Sequence, residues 1–264
     1  MNIFLREMKA NRKALIIWSV CMFLLVMSGM AKYTAYSSGG ESAALFNDLP
    51  YSVKALLGMG SFDVTTLSGY FAMLFLYIEL AAAIHAALLG AGIISKEERD
   101  KTAEFLMIKP VSRSSVITSK LLAAFINILT VNIVIAASSV AMTAAYNKGE
   151  DISGEIILFM LSMFFVQLIF LSLGAATAAF TKNSKLSGSI TMGMLLIAFI
   201  ISKITDLTDR LNVLNVLSPF KYFSYADLVG GKGLNIAVVV LSLLLTAAFA
   251  ASAYFFYPKR DLSI

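Results

Sequence analysis

Six apolar runs, separated by segments that hold nearly all the charged residues, dominate the pattern of this sequence. A helix needs roughly 20 mostly apolar residues to cross a bilayer, and its backbone polar groups must be satisfied within the element itself. The runs therefore predict six membrane-spanning helices and an all-α polytopic membrane protein. They lie at residues 14–31, 64–95, 121–147, 156–181, 186–202 and 233–258.

The composition agrees with a membrane location. Hydrophobic residues make up 59% of the chain and charged residues only 14%, whereas soluble domains carry about 25% charged residues. The net charge of +5 does not indicate nucleic-acid binding, because the charges lie between apolar runs. Cys21 is the only cysteine, which excludes an internal disulfide framework.

The basic residues predict the orientation. Six spans put both termini on one side, and the segments predicted on that side hold fourteen of the 21 lysines and arginines. Cytoplasmic segments of membrane proteins are enriched in these residues, so both termini are predicted to be cytoplasmic. Glu7 within the basic leader, and the lack of a clear A-x-A site, favour a retained first span over a cleaved signal peptide. The short basic loops are typical of a bacterial plasma-membrane protein.

Three segments outside the spans carry further predictions. Residues 1–13 alternate apolar and charged positions, which favours an interfacial amphipathic helix; a basic tail without fixed structure is the alternative. Residues 96–120 form a cytoplasmic loop with an apolar stretch that ends at Pro110, after which Ser112 is placed to cap the next helix. Residues 203–232 are too short to span, and predict an outer re-entrant or interfacial segment.

The sequence lacks the usual catalytic motifs. No G-x-x-x-x-G-K-[ST] phosphate loop is present, and a single histidine excludes the two-histidine zinc helix. We therefore predict no enzyme activity, no catalytic residue, and no metal or cofactor bound by this chain.

A few polar residues lie inside the predicted spans. Glu79 and His85 form a candidate intramembrane polar site, since ionisable residues within a span are costly. They are six residues apart, about 240° around a helix, so they do not share a face. For Glu79 a structural partner, such as a hydroxyl on a neighbouring helix or the elbow of the first span, is favoured over contact with a substrate. Asn127, Asn132 and Gln167 predict hydrogen bonds between spans, and Gly174 and Ala178 predict close helix packing.

Residues 97–120 resemble the loop between the second and third spans of ABC-2 type transporter permeases. The resemblance rests on Thr102–Ala103–Glu104–Phe105–Leu106 and on Pro110–Val111–Ser112–Arg113. Lys101 stands where family members commonly have glycine. Weaker likenesses in the leader, at residues 217–220 and at residues 259–262 extend it over the chain, so we expect one permease domain over residues 1–264 with a type V exporter-like architecture.

The resemblance implies a function that composition alone does not. It implies the membrane-spanning subunit of an ABC exporter, which would move a hydrophobic or amphipathic substrate such as a peptide antibiotic, drug or lipid. The implied partners are two cytoplasmic ATP-binding cassette subunits, which bind the ATP and Mg²⁺, and a second identical or related permease. The expected coupling contacts to the ATPase are Glu98, Arg99, Glu104, Phe105 and Leu106.

Two other functions stay open at this point. An ion-coupled secondary transporter would need buried ionisable residues near the membrane midplane, and Glu79 and His85 are the only ones that fit. A non-transporting scaffold or sensor subunit would show no substrate-dependent flux.

Overall fold

The chain folds into a bundle of long helices. The computed structural model describes residues 3–37, 49–59, 63–99, 112–146, 149, 151–181, 183 and 186–259. Within these residues all regular structure is helical, and six helices are long and apolar enough to cross a membrane. The chain is thus an all-α polytopic membrane protein, as predicted. The six long helices are α1 (Ile3–Met30), α4 (Leu67–Arg99), α5 (Arg113–Ala145), α6 (Ser153–Phe180), α7 (Ser187–Leu207) and α9 (Ile236–Phe256).

Shorter helices connect the long ones at the end of the bundle away from the chain termini. They are α2 (Tyr33–Ser37), α3 (Tyr51–Leu56), two 3-10 segments (Asp209–Leu217 and Pro219–Lys221) and α8 (Tyr225–Val229). We call this end the distal end, and the end that contains the chain termini the terminal end. A third 3-10 turn, Tyr257–Lys259, follows α9 at the terminal end.

Several helices extend beyond the charge-free runs. α1 is continuous through residue 13, so the basic leader and the first span form one rod instead of two helices separated by a turn. α4 and α5 both extend into the predicted loop 96–120. α7 continues to Leu207, five residues beyond the apolar run. A run without charges marks only the lipid-facing part of a helix, and the backbone stays helical where charges reach the membrane surface.

The core of the bundle lies between α4 and α6. Both helices are mostly buried, whereas only five residues of α1 and two of α9 are buried. Glycine allows α4 and α6 to approach closely: a Cβ at Gly90 would lie 2.1 Å from the carbonyl oxygen of Leu171, and one at Gly174 would lie 2.5 Å from that of Ala87. Small residues are typical of tightly packed membrane helices, and the close packing predicted at Gly174 is confirmed.

A polar contact between spans is also confirmed. The side-chain amide of Asn132 on α5 donates to Oε1 of Gln167 on α6 at 3.1 Å, and both side chains are buried. In an apolar environment an unpaired amide would cost free energy, which explains why the two residues face each other.

The connection between α7 and α9 inserts deeply between the spans. The Tyr225 ring lies 5.4 Å from that of Phe75 on α4 and 5.9 Å from that of Phe159 on α6. The Phe220 ring contacts Phe170 and Phe199 at 5.2 and 5.5 Å. Tyr225 reaches Glu79, which is twelve residues from the distal end of α4, or about 18 Å along the helix.

Candidate functional site

The terminal end of the bundle is held together by a charged cluster around Glu97, in the last turn of α4. One carboxylate oxygen of Glu97 accepts a hydrogen bond from Nη2 of Arg6 at 2.9 Å, and the other accepts from the ammonium of Lys120. Arg6 also pairs with Glu7 at 2.8 Å. We call these four residues the Glu97 cluster; they join the start of α1, the end of α4 and the start of α5.

Lys120 is the most unusual member of the Glu97 cluster. Its side chain is fully buried, and its ammonium also donates to the carbonyl oxygen of Ile93. A buried charge is tolerated only when it is paired and hydrogen-bonded. Glu97 and the Ile93 carbonyl meet this requirement, so the register between α4 and α5 at this point is fixed by charge as well as by shape.

The start of α5 is also attached to the C-terminal part of the chain. Nη1 of Arg113 donates to the carbonyl oxygen of Pro258 at 2.8 Å, and the hydroxyl groups of Thr118 and Tyr254 are 2.7 Å apart. Ser112 caps α5 by accepting a hydrogen bond from the amide of Ser115 at 3.2 Å, which confirms the predicted cap. The start of α1 and the segment at the end of α9 therefore both contact the helix that leaves the predicted coupling loop.

The predicted coupling residues fall into two groups. Glu98 and Arg99 are the last two residues of α4, not part of a loop; Glu98 is buried and Arg99 is exposed. Glu104, Phe105 and Leu106, together with Pro110, lie outside the described residues.

The candidate intramembrane residues do not form one site. Glu79 is buried and accepts a hydrogen bond from the hydroxyl of Tyr225, so it has a structural partner, a hydroxyl and not the elbow of the first span. His85 is also buried, and its ring lies 5.0 Å from that of Trp18 on α1. Its Nδ1 has no hydrogen-bond partner among the described residues. One residue thus faces the distal connection and the other faces the first span.

Sequence reasoning missed the Glu97 cluster. In the sequence Arg6 and Glu7 belong to the charged leader, whereas Glu97 and Lys120 stand beside the ends of two apolar runs. That position was the available signal, but it does not show which charges face inward. The described residues contain no group of three metal-ligating side chains, and the Glu97 cluster is suited to joining helices mechanically.

Comparison with known proteins identifies the family of the chain. Residues 1–262 match the model of a family described as ABC-2 family transporter protein. A search of curated proteins gave no match. The match spans nearly the whole chain, including all six long helices and both ends of the predicted coupling loop. The chain therefore belongs to the ABC-2 transporter family, as the membrane permease component of an ABC transporter.

Proposed function

We propose that this permease exports a hydrophobic or amphipathic substrate, using ATP hydrolysed by two separate ATP-binding cassette subunits. Family membership implies association with such subunits. The number of subunits, the export direction and the substrate class are the proposal. The observation that carries it is the Glu97 cluster, which joins α1, α4 and α5 at the base of the predicted coupling loop.

In this proposal the segment between α4 and α5 receives force from the ATPase. Glu97 and Lys120 bind each other across the two ends of that segment, and Arg6 adds α1 to the same unit. A force applied to residues 100–111 would then move α1, α4 and α5 together instead of bending one of these helices. We place Glu98, Arg99, Glu104, Phe105 and Leu106 at the contact with the ATPase, on the cytoplasmic side of a bacterial plasma membrane.

The translocation pathway would lie between two copies of the permease. α7 exposes large apolar side chains such as Met194 and Ile197, and α4 exposes Tyr77 and Leu88. Tyr77 and Leu88 are eleven residues apart and share one helix face. These apolar faces support a hydrophobic or amphipathic substrate, and they are available for lipid, for substrate or for the second permease.

The decisive experiment is reconstitution with the ATP-binding cassette protein encoded beside this chain. We expect ATP hydrolysis by the complex to depend on the permease. Replacing Phe105 and Leu106 by glutamate should abolish this stimulation or release the ATPase from the membrane, because a charged pair cannot dock in an apolar contact. The matched control is V213E with V216E, which adds two charges at exposed positions of the distal end.

Normal assembly and transport by the Phe105/Leu106 variant would contradict the proposal. An ion-coupled secondary transporter remains a second candidate because Glu79 and His85 are buried ionisable residues within a span. In proteoliposomes without the ATPase, a transporter of that kind would still move substrate down an imposed ion gradient, whereas the proposed permease would not.

A further inference from the structure

The distal end contains a cavity of about 300 Å³ that the proposed function does not use. It is open on one side and is lined by α3, by α4, by the end of α7 and by the connection that follows α7. Its apolar wall includes Leu76, Phe220 and Phe223. Its polar lining includes Lys203, Asp206, Asn215, Lys221 and four hydroxyl-bearing residues, Tyr51, Ser202, Ser224 and Tyr225. A volume of this size is at the lower end of the range found for small-molecule sites.

The charges in this cavity do not cancel. Asp206 accepts from Nζ of Lys203 at 2.8 Å through one carboxylate oxygen and from the ammonium of Lys221 through the other. Two ammonium groups thus share a single carboxylate. Their side chains are only 13% and 26% exposed, so water screens them less than it would at an open surface. Tyr225 lies between Glu79 and the cavity, and its hydroxyl donates a hydrogen bond to Glu79.

A further polar group has no partner. Oδ1 of Asn215 is shielded from solvent and accepts no hydrogen bond from the described residues. Such an atom costs free energy unless a ligand or water donates to it. Together, Asn215 and the lysines offer an acceptor and two cationic donors within one cavity.

The surroundings restrict what fits. Lys203 lies near the distal end of α7, and its ammonium is 5.8 Å from the ring centre of Phe199. Next to it, Ile200, Ile204 and Leu207 are exposed on the same helix. An amphipathic molecule could therefore place an anionic group between the lysines and its apolar part along α7.

We propose that this cavity binds a phosphate group between Lys203 and Lys221, with Asp206 as the internal competitor for both ammonium groups. Lysine binds phosphate as a point charge, and a phosphate oxygen would replace the carboxylate oxygen that each lysine now contacts. The phosphate belongs either to a lipid headgroup in the adjoining leaflet or to free phosphate. The site does not depend on the ATPase partner.

The test uses the purified full-length protein in detergent. Native mass spectrometry would measure the binding of short-chain phosphatidylglycerol to wild type and to three variants. We expect K203Q with K221Q to bind at least tenfold more weakly. K232Q is the matched control, because it removes a lysine at the same end that is 71% exposed and paired with Asp227; its affinity should equal that of wild type.

D206N keeps both lysines and removes their competitor, so it tests the site even if the double lysine variant does not fold. We expect D206N to bind the lipid at least threefold more tightly. Equal binding by wild type, D206N and a folded double lysine variant would indicate non-specific lipid association and would overturn the proposal. Weaker binding by D206N would also overturn it.

A competition experiment identifies the source of the phosphate. If inorganic phosphate displaces the lipid at millimolar concentration, the site recognises free phosphate; if only the lipid binds, it recognises a lipid headgroup. If neither binds to the wild-type protein, the proposal is wrong.

Discussion

The two ends of the helical bundle both contain lysine–carboxylate pairs, but water reaches them to different degrees. At the terminal end Lys120 has no exposed side-chain surface, and its partner Glu97 is 9% exposed. At the distal end Lys203, Lys221 and Asp206 are 13–26% exposed and border a cavity. The terminal pair joins α4 and α5, and Arg6 adds α1 through Glu97, whereas the distal pairs belong to α7 and the connection after it.

This difference indicates different roles for the same chemistry. A fully buried pair cannot exchange its partner for water or ligand without a large desolvation cost, so the Glu97 cluster is suited to holding helices in register. A pair beside a cavity can exchange one oxygen ligand for another. The distal lysines are therefore suited to binding, and the terminal lysine to transmitting force.

The largest effect should come from K120M. This change leaves Glu97 buried with one partner fewer, and breaking a buried pair from one side typically costs about 3–5 kcal/mol. We expect a strongly lowered unfolding midpoint of the detergent-purified protein, measured by circular dichroism. K203M is the matched change at the distal end and should cost less, since water reaches Lys203 and Asp206 keeps Lys221. Equal losses would remove the contrast between the two ends.

The next effect concerns the contact between α4 and α6, which connects the two ends. G90A would place a Cβ 2.1 Å from the carbonyl oxygen of Leu171, and overpacking of this kind costs about 1–3 kcal/mol. G92A is the matched control in the same helix, because no described atom outside its own stretch of helix lies within 4 Å of the added Cβ. We expect thermal unfolding to show a loss for G90A only. A neutral G90A would mean that α4 and α6 can move apart freely.

A smaller effect is expected from Y225F, which removes the hydroxyl that donates to Glu79. Leaving the buried Glu79 carboxyl without its hydrogen-bond donor costs about 1–3 kcal/mol. The cost is smaller when position 79 carries a neutral amide, as in E79Q. The double variant with E79Q should therefore lose less than the sum of the two single variants. Strict additivity in this cycle would show that the Tyr225–Glu79 contact does not stabilise the distal connection.

The smallest effect concerns the exposed pair of Asp227 and Lys232. A hydrogen bond from Lys232 is the main cause that lowers the pKa of Asp227 below its ordinary value of 3.8. Because the folded-state pKa is the lower one, any stabilisation by Asp227 is present above pH 3.8 and is lost as the pH falls through the folded-state pKa. We expect D227N to leave the unfolding midpoint at neutral pH unchanged; a clear decrease would show that exposed pairs also matter at this end.

The apolar runs alone predicted the fold class. An apolar stretch of this length is stable in a bilayer as a spanning helix. The six long helices and the family match confirm the predicted all-α membrane fold. The cap at Ser112 and the contact between Asn132 and Gln167 were also predictable. The first is a local signal, and the second follows from the cost of leaving an amide unpaired in an apolar environment.

The charged sites were not predictable in the same way. Arg6, Glu97 and Lys120 lie far apart along the chain. In the sequence, nothing distinguishes them from other charged residues of membrane-surface segments. Only the packing of α1, α4 and α5 shows that they meet. The same is true of Lys203 and Lys221, which come together on Asp206 because the connection after α7 turns back into the bundle.

The sequence by itself determined how many helices cross the membrane, because burial of apolar side chains in lipid depends only on local composition and length. The tertiary structure decided which charged side chains are buried, since their burial depends on the rotation and register of each helix against its neighbours. The rotation and register of the helices bury Lys120 completely between α4 and α5, and they leave Lys203 partly exposed beside a cavity.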